Sequence, residues 1–233
     1  MEFRNVILMV IIIILLMIVY NYIANDVSTL TGLISAKTMQ QIDASSLTQT
    51  NAVNFTYSIW FYIDDWNTYY GASKIIFGRM NDTATKAEPC PLVSLSASQN
   101  NIDIALTTTA SAGITQQFTC SVANIPIQKW VHLLVSVNSR TLDTYIDGKL
   151  VRTCVMPGVA VVNPAAAIFV TPNGGFSGWT SHFTYWGDST DPQTVWNIYK
   201  KGYGGSFLGG LFGSYAVKLS LLNNNVESTS YTV

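Results

Sequence analysis

Charge is scarce in this sequence. Of its 233 residues only 11% are charged, and 12 Lys and Arg are offset by 13 Asp and Glu, which gives a formal net charge of -1. A protein that binds nucleic acid by neutralising phosphates needs a basic patch or stripe, and the sequence has no such excess. The same balance excludes an acidic, solvating tail. Nucleic acid is therefore not an expected partner.

Residues that usually carry metal or acid–base chemistry are also few. The sequence has only two histidines, His132 and His182, and both stand in apolar, strand-like runs. No Cys or carboxylate lies at metal-ligand spacing beside them, so we expect hydrogen-bonded core or interface histidines and no metal centre. A nucleophile elbow, which a Ser-His-Asp hydrolase of the α/β type would need, is absent from the sequence.

Cysteine occurs three times, as Cys90, Cys120 and Cys154. An odd number at irregular spacing fits neither a zinc site nor a disulfide framework. At most one intramolecular bridge can form, and Cys120 to Cys154 is a conceivable pair between neighbouring strands. Buried free thiols are an equally acceptable outcome.

Apolar residues are abundant, at 48%, and they concentrate near the N-terminus. Residues 6–24 read VILMVIIIILLMIVYNYIA, and a helix of this length spans about 28 Å, close to the hydrocarbon core of a bilayer. Arg4 precedes the run, which places the N-terminus on the inner side, and a poor cleavage site argues against a signal peptide. A buried core helix is the alternative. The expected membrane-spanning positions are Val6, Ile11, Ile14, Leu16, Ile18, Tyr20 and Ile23.

The rest of the chain reads as an antiparallel β protein. Short runs rich in Val, Ile, Thr, Tyr, Phe and Trp recur between turn residues, and Asp147-Gly148 is a two-residue hairpin signal. One helix is predicted, with Asp191 as its cap and Pro192 at its first position. The expected segments are an anchor (1–25), a Ser/Thr-rich stalk or linker (26–51) that contributes a strand around Gly32 to Ala36, the β domain (52–203), and a Gly-rich loop followed by a β-hairpin (204–233).

Three motifs in fixed order carry a family resemblance. They are Trp130-Val131-His132, then YIDGK at 145–149, then GGFSG at 174–178 ahead of a last strand and a short helix. In this order they resemble laminin-G-like, concanavalin A-like jelly-roll domains. Together with an N-terminal anchor and a Gly-rich loop after the helix, the chain is similar to membrane-anchored proteins of large icosahedral DNA viruses of algae and protists, some of which are minor capsid proteins.

The resemblance also raises the question of hydrolysis, because laminarinase-type glycoside hydrolases share this fold and carry a Glu-x-Asp-x-x-Glu strand. Glycoside hydrolysis needs two carboxylates that flank the scissile bond. The nearest register here, residues 101–106, supplies only Asp103, and the whole chain has only three Glu. We therefore expect no enzyme and no catalytic residue.

The best candidates for contact with a glycan or a partner are Asp65, Trp66 and Trp179. Asp64-Asp65-Trp66-Asn67 is the densest acidic spot and offers oxygens to Ca²⁺ or to sugar hydroxyls. A solvated turn is the simpler interpretation, because no second acidic cluster completes a calcium shell. Trp60, Trp130 and Trp196 occupy core-like positions in the family pattern, which leaves Trp66 and Trp179 for exposure.

The sequence thus favours a non-enzymatic structural protein of a virion. In this hypothesis a jelly-roll domain is held to the internal membrane by its N-terminal helix and packs against capsid proteins at the inner capsid face. The alternative hypothesis is a membrane-displayed lectin, and a glycoside hydrolase is a remote third.

Overall fold

The structure is a computed structural model. It describes the residues 9, 12–16, 29–109, 114–203, 218–223 and 226–232.

Residues 28–199 form a compact β-sandwich of two antiparallel sheets. The first sheet has the strand order β1-β13-β4-β9-β10-β11, with β2 also paired to β13, and the second has the order β3-β12-β5-β6-β7-β8. The strands of the sandwich are β1 (Thr29–Thr31), β2 (Ile34–Ser35), β3 (Gln40–Ile42), β4 (Phe55–Asp65), β5 (Lys74–Met80), β6 (Leu92–Leu95), β7 (Asn101–Thr109), β8 (Thr115–Ala123), β9 (Trp130–Asn138), β10 (Thr141–Ile146), β11 (Lys149–Val155), β12 (Ala167–Val170) and β13 (Ser177–Trp186).

Alternation along the strands places the core between the sheets. On β4, every second residue from Phe55 to Ile63 is buried in the main hydrophobic cluster. The intervening side chains therefore point to the opposite, outer face, because successive residues of a strand face opposite sides of the sheet. Phe77, Val93 and Ile104 fill the core from the second sheet. An antiparallel sandwich with one short helix confirms the predicted all-β, jelly-roll part of the fold class.

The segment that was expected to be a stalk is instead part of the sandwich. Within residues 26–51, β1 and β2 pair with β13, and β3 pairs with β12. A 3₁₀ turn follows at Ala44–Ser46. The strand expected around Gly32 to Ala36 includes β2, whereas β1 and β3 were not expected, because each has only three residues and is too short to show alternation.

A disulfide joins the two sheets at one side of the sandwich. Cys120 on β8 and Cys154 on β11 are bonded, and these are the last strands of their sheets. Of the two alternatives left open by the sequence, a disulfide bridge or two free thiols, the structure therefore shows the bridge at Cys120 and Cys154. Cys90 is a buried free thiol, and burial raises its pKa to about 12.

The predicted hairpin and helix are both present. Asp147 and Gly148 have φ values of 49° and 74°, as a primed turn between β10 and β11 requires. Helix α1 (Pro192–Lys200) begins after Asp191, whose carboxylate accepts hydrogen bonds from the backbone N–H groups of Gln193 and Thr194. The cap satisfies two backbone donors that have no partner within the helix.

The chain ends are described separately. A C-terminal hairpin pairs β14 (Lys218–Asn223) with β15 (Val226–Thr232), as predicted, whereas the Gly-rich loop before it lies outside the described residues. Of the predicted membrane-spanning positions, Ile14 and Leu16 are helical and exposed. The remaining positions lie outside the described residues, and these are Val6, Ile11, Ile18, Tyr20 and Ile23. Within the described part of the chain, no helix has the length and apolarity needed to cross a membrane.

Candidate functional site

Three aromatic side chains form a row across the outer face of the first sheet. Tyr62 on β4 is the direct cross-strand partner of Trp179 on β13 and of Trp130 on β9. Direct partners point to the same side of a sheet, and Tyr62 points away from the core because Phe61 and Ile63 fill it. The ring centroids of Tyr62 and Trp130 are 5.8 Å apart. We call Trp179, Tyr62 and Trp130 the outer aromatic row.

The row is open to solvent. Trp179 is 45% exposed, and Tyr62 and Trp130 are half-buried. Aromatic rings are expensive to leave in water, so a solvent-exposed row of them on the outer face of a sheet is typical of a binding surface. Exposure of Trp179 agrees with the sequence-based expectation, whereas Trp130 is less buried than a core position would be.

A second aromatic layer lies beside the row and is covered by helix α1. Trp60 is buried, and its ring centroid is 5.6 Å from that of Tyr199 on the helix and 5.0 Å from that of His132. Trp196 packs against Tyr199 at 5.4 Å. The sequence-based expectation of a core position is right for Trp60 and wrong for Trp196, which is 38% exposed although its ring lies next to Gly148 in the β10–β11 turn.

Polar groups border the outer aromatic row. Asp64 is exposed and lies two positions after Tyr62, so it shares the outer face. Beside Trp130, the Lys129 ammonium forms an ion pair of 3.0 Å with Asp147. Ser35 on β2 is the cross-strand partner of Trp179 on the side away from Tyr62. Hydrogen-bonding groups at the edge of an apolar platform fix the orientation of a bound ligand.

The Asp65 carboxylate, by contrast, is hydrogen-bonded within the turn that follows β4. Its carboxylate accepts hydrogen bonds from the backbone N–H groups of Asn67 and Thr68 and from the Thr68 hydroxyl, at 3.0 to 3.1 Å. These hydrogen bonds lower the pKa of Asp65, and the bond from the Asn67 N–H has the largest effect. The simpler interpretation of the acidic spot as a turn is therefore correct. Among the described residues no group of three His, Cys, Asp or Glu side chains could hold a metal ion.

Trp66 is half-buried and does not join the outer aromatic row. Its side chain packs against the core between the sheets, whereas Trp179 lies on the outer face. The Lys74 ammonium stands over the Trp66 ring, 4.8 Å from its centroid, at cation–π distance. The structure therefore separates the predicted contact residues into two places, with Asp65 and Trp66 in one and Trp179 in the other.

Three loops and the start of β5 line a cavity of about 220 Å³. The three loops are the β4–β5 loop, the β5–β6 loop and the β12–β13 loop. We call it the end-loop cavity, and its lining residues are Tyr69, Ala72, Ser73, Lys74, Ile75, Lys86, Pro172, Asn173 and Gly175.

Asp103, the nearest match to a glycosidase carboxylate, is surrounded by hydroxyl groups on its face of β7. Its direct cross-strand partners are Ser94 and Ser121, and the Ser121 hydroxyl donates a hydrogen bond of 2.6 Å to it. Ser96 donates a further, short hydrogen bond. Two positions away along the strand stand Asn101 and Ala105. In the described part of the chain, this strand does not form the two-carboxylate arrangement of a glycoside hydrolase.

His132 is a buried, hydrogen-bonded histidine, as predicted. Its Nε2 shares a hydrogen bond of 2.8 Å with the Ser58 hydroxyl, and its ring lies beneath helix α1. Burial lowers the pKa of His132 to about 4; nearby Asp147 acts in the opposite direction, and His182 adds to the lowering. His182 on β13 shares a hydrogen bond of 3.2 Å with Thr29. Neither histidine belongs to a metal-binding cluster formed by the described residues.

The sequence reasoning missed Tyr62, Trp130 and Lys74. A signal for Tyr62 was present, because Trp60 and Tyr62 are aromatic residues at alternate positions of β4, on the face that the core does not use. Cross-strand neighbours such as Trp130 depend on strand order and register, which one sequence does not specify.

Comparisons with known proteins agree with the architecture. The Laminin_G_3 model, described as the concanavalin A-like lectin/glucanases superfamily, matches residues 36–198. A search of curated proteins finds no significant match. The solved structures similar to this chain include the receptor binding domain of botulinum neurotoxin D, at 13% identity and a TM-score of 0.55, over 74% of this chain and 44% of that one.

A tryptophan-to-alanine mutant of a protein called HCR/D is similar at 14% identity and a TM-score of 0.53, over 74% of this chain and 42% of that one. The chain thus spans less than half the length of the solved structures that it matches here. At 13–14% sequence identity, the similarity to these solved structures shows a shared fold and nothing more.

Proposed function

Because the chain belongs to the concanavalin A-like lectin/glucanase superfamily, we propose that its β-sandwich is a non-enzymatic carbohydrate-binding module. The observation that carries this proposal is the outer aromatic row of Trp179, Tyr62 and Trp130. Its ligand is a glycan that lies along the row, with sugar C–H faces on the rings. The similar fold of a receptor binding domain is consistent with this, although that protein is longer and distant in sequence.

The geometry of the row suits a chain of sugars better than a single one. Adjacent antiparallel strands lie about 4.8 Å apart, so three rings on three neighbouring strands extend over roughly 10 Å. Aromatic rings have an electron-rich face that attracts weakly positive C–H groups, and the polar edge of Asp64, Lys129 and Asp147 offers both acceptors and donors for hydroxyl groups.

We expect replacement of Trp179 by Ala to weaken glycan binding by about tenfold or more, because tryptophan is among the residue types that most often contribute about 2 kcal/mol or more to an interface. The measurement is a glycan array followed by calorimetry on the best ligand. Trp196→Ala is the matched control, since it removes an exposed tryptophan of similar exposure that lies outside the row.

The proposal is wrong if a broad glycan panel gives no binding. It is also wrong if Trp179→Ala and Trp196→Ala bind the best ligand equally well. Thermal unfolding of both variants shows whether the fold persists, which we expect because neither side chain is part of the buried core.

A second candidate function is structural. In it, the apolar run at residues 6–24 anchors the chain in a bilayer, and the sandwich packs against capsid proteins of a virion at the inner capsid face. The observation that favours a protein partner is the exposed edge strand β11, where Leu150, Val151 and Val155 are all exposed. Exposed apolar edges of sheets are usually paired or covered by another chain.

This candidate predicts that the full chain floats with lipid vesicles, and that a variant without residues 1–27 stays in the aqueous fraction. In particles purified from the source, it further predicts that detergent extraction of lipid releases the protein. A full chain that remains in the aqueous fraction in the presence of vesicles would contradict the anchor, and absence from particles would contradict the structural role.

A further inference from the structure

Two tripeptides of the sequence have the pattern Asn-X-Ser/Thr, at residues 54–56 (NFT) and 81–83 (NDT). This pattern is the acceptor for an N-linked glycan in proteins that pass through a secretory lumen, and the modified asparagine then belongs in a surface loop. A bulky glycan is carried only where the folded chain leaves room for it. The surroundings of the two asparagines therefore decide which of them suits the modification.

The asparagine of the second tripeptide lies in an exposed loop. Asn81 directly follows Met80, the last residue of β5, and both Asn81 and Asp82 are exposed. The Oδ1 atom of Asn81 accepts a hydrogen bond of 2.8 Å from Asn163, whereas its Nδ2 atom reaches Glu88 at 3.4 Å, which is long for a hydrogen bond. A glycan on Nδ2 leaves the bond at Oδ1 in place and displaces only this weak contact on the surface.

The third residue of the pattern matters because its hydroxyl group is part of what the glycan-transferring enzyme recognises. In the second tripeptide this residue is Thr83, which is half-buried and whose hydroxyl group forms no hydrogen bond to a described residue. Its backbone carbonyl accepts a hydrogen bond of 2.9 Å from the Asn173 side chain, which holds the loop without using the hydroxyl group. The loop thus keeps the amide of Asn81 and the hydroxyl group of Thr83 outside the core.

The first tripeptide, by contrast, is built into the sandwich. Thr56 is buried on β4, where its hydroxyl group donates a hydrogen bond of 2.8 Å to the Asp188 carbonyl and lies 3.2 Å from the Ser136 hydroxyl group. Asn54 is half-buried, and its Oδ1 atom accepts a hydrogen bond of 2.8 Å from the Ser139 N–H group. Strand β4 lies inside its sheet, between β13 and β9, so folding removes this tripeptide from the reach of an enzyme.

The disulfide indicates the compartment in which the chain folds. Cys120 and Cys154 are bonded, and disulfides form and persist in oxidising compartments, whereas the cytosol keeps thiols reduced. In eukaryotic cells the lumen that forms disulfides also contains the enzyme that attaches N-linked glycans. A chain that acquires this bridge there is therefore also exposed to that enzyme.

We propose that Asn81 carries an N-linked glycan and that Asn54 does not. In the reaction, the Nδ2 atom of Asn81 attacks the anomeric carbon of an oligosaccharide that is carried on a lipid diphosphate. The C–N bond forms, the C–O bond to the diphosphate breaks, and the proton lost from Nδ2 passes to a base of the transferase. The lipid diphosphate is the leaving group.

This modification does not depend on glycan binding by the outer aromatic row. Asn81 follows a strand of the second sheet, whereas the row lies on the outer face of the first sheet. The attached glycan and the row therefore belong to different sheets of the sandwich, and each is tested without the other.

The test is peptide mapping of the full chain purified from its source. A peptide-N-glycosidase acting in heavy-oxygen water converts a glycosylated asparagine to a labelled aspartate. Trypsin places Asn81 in the peptide 80–86 and Asn54 in the separate peptide 38–74. We expect the label in the peptide 80–86 and none in the peptide 38–74, in comparison with a sample incubated without the glycosidase. A peptide 80–86 without enzyme-dependent label would overturn the proposal.

Variants of the full chain, produced in a eukaryotic cell, assign the site independently. Asn81→Gln and Thr83→Ala should each abolish the loss of mass that glycosidase treatment causes in the wild type. Thr83→Ser retains the pattern and should keep a glycan, and Asn54→Gln is the matched control that should leave the loss of mass unchanged. Persistence of the full mass change in Asn81→Gln, or its disappearance in Asn54→Gln, would contradict the assignment.

Thiol labelling of the unfolded but unreduced protein tests the compartment. We expect Cys90 to be labelled, and Cys120 and Cys154 to react only after a reducing agent is added. Labelling of Cys120 or Cys154 without reduction would remove the basis for passage through an oxidising lumen, and with it the proposal.

Discussion

Loss of the Cys120–Cys154 bridge is expected to lower the free energy of unfolding by about 4 kcal/mol, and the thermal midpoint by roughly 10 °C. The bond closes a loop with a sequence separation of 34 residues, and closing such a loop restricts the unfolded chain far more than the folded one. The effect is large because the bridge joins the last strands of the two sheets, where few other contacts tie β8 to β11.

The measurement is denaturant unfolding of the wild type and of the Cys120→Ala/Cys154→Ala double variant. Alanine is preferable to serine because Cys120 is buried. A Cys90→Ala variant is the control: it keeps the bridge, so it should still lose stability when a reducing agent is added. A difference below about 1 kcal/mol between wild type and double variant would mean that the bridge adds little to this fold.

Stability is expected to fall by about 3 kcal/mol between pH 7 and pH 4 through His132 alone. In the folded protein the pKa of His132 is lowered to about 4, whereas in the unfolded chain it is near the ordinary value of 6.5. Between these two values the unfolded chain binds more protons than the folded one, so acid favours unfolding. Below about pH 4 both states are protonated and the contribution of His132 no longer changes.

The physical cause is the position of the ring. Trp60 and Tyr199 flank it, Nδ1 is buried without a hydrogen-bond partner among the described residues, and Nε2 meets the Ser58 hydroxyl. A second proton would place a charge in this apolar layer, with the nearby Asp147 carboxylate giving only partial compensation.

The pH dependence of unfolding in His132→Gln tests this effect, because the slope between pH 4 and 6.5 should be clearly shallower in the variant than in the wild type, whatever its stability at pH 7. His182→Asn is the control at the other histidine, where asparagine suits the φ value of 55°, and it should keep most of the slope, because His182 is the smallest cause of the lowered His132 pKa. An identical slope in the wild type and His132→Gln would contradict this role of the buried ring.

Much of the fold could be predicted from the sequence because it depends on local patterns. The recurrent apolar runs, the Asp147-Gly148 turn and the Asp191 cap each need only a few neighbouring residues. Strands β1 and β3 could not be predicted, since they are too short for a pattern and are held by partners far along the chain. Register and sheet order are properties of the whole chain.

For the candidate sites, too, features that depend on local sequence were predicted, whereas contacts between distant parts of the chain were not. Exposure of Trp179 was predicted, but its neighbours Tyr62 and Trp130 come from two other strands and were not. Lys74 gave no signal in the sequence, because a lysine at the start of a strand is normally solvated. Its ammonium lies over the ring of Trp66 from the preceding loop, a contact that one sequence does not reveal.

The central claim is that the outer aromatic row is the glycan-binding surface, and the most direct test is nuclear magnetic resonance of the tryptophan indole N–H groups during titration with the best ligand from the glycan array. We predict that the indole signals of Trp179 and Trp130 shift with a common affinity, while that of Trp196 stays in place. Shifts confined to Trp196 or Trp66, or none at Trp179, would contradict the claim.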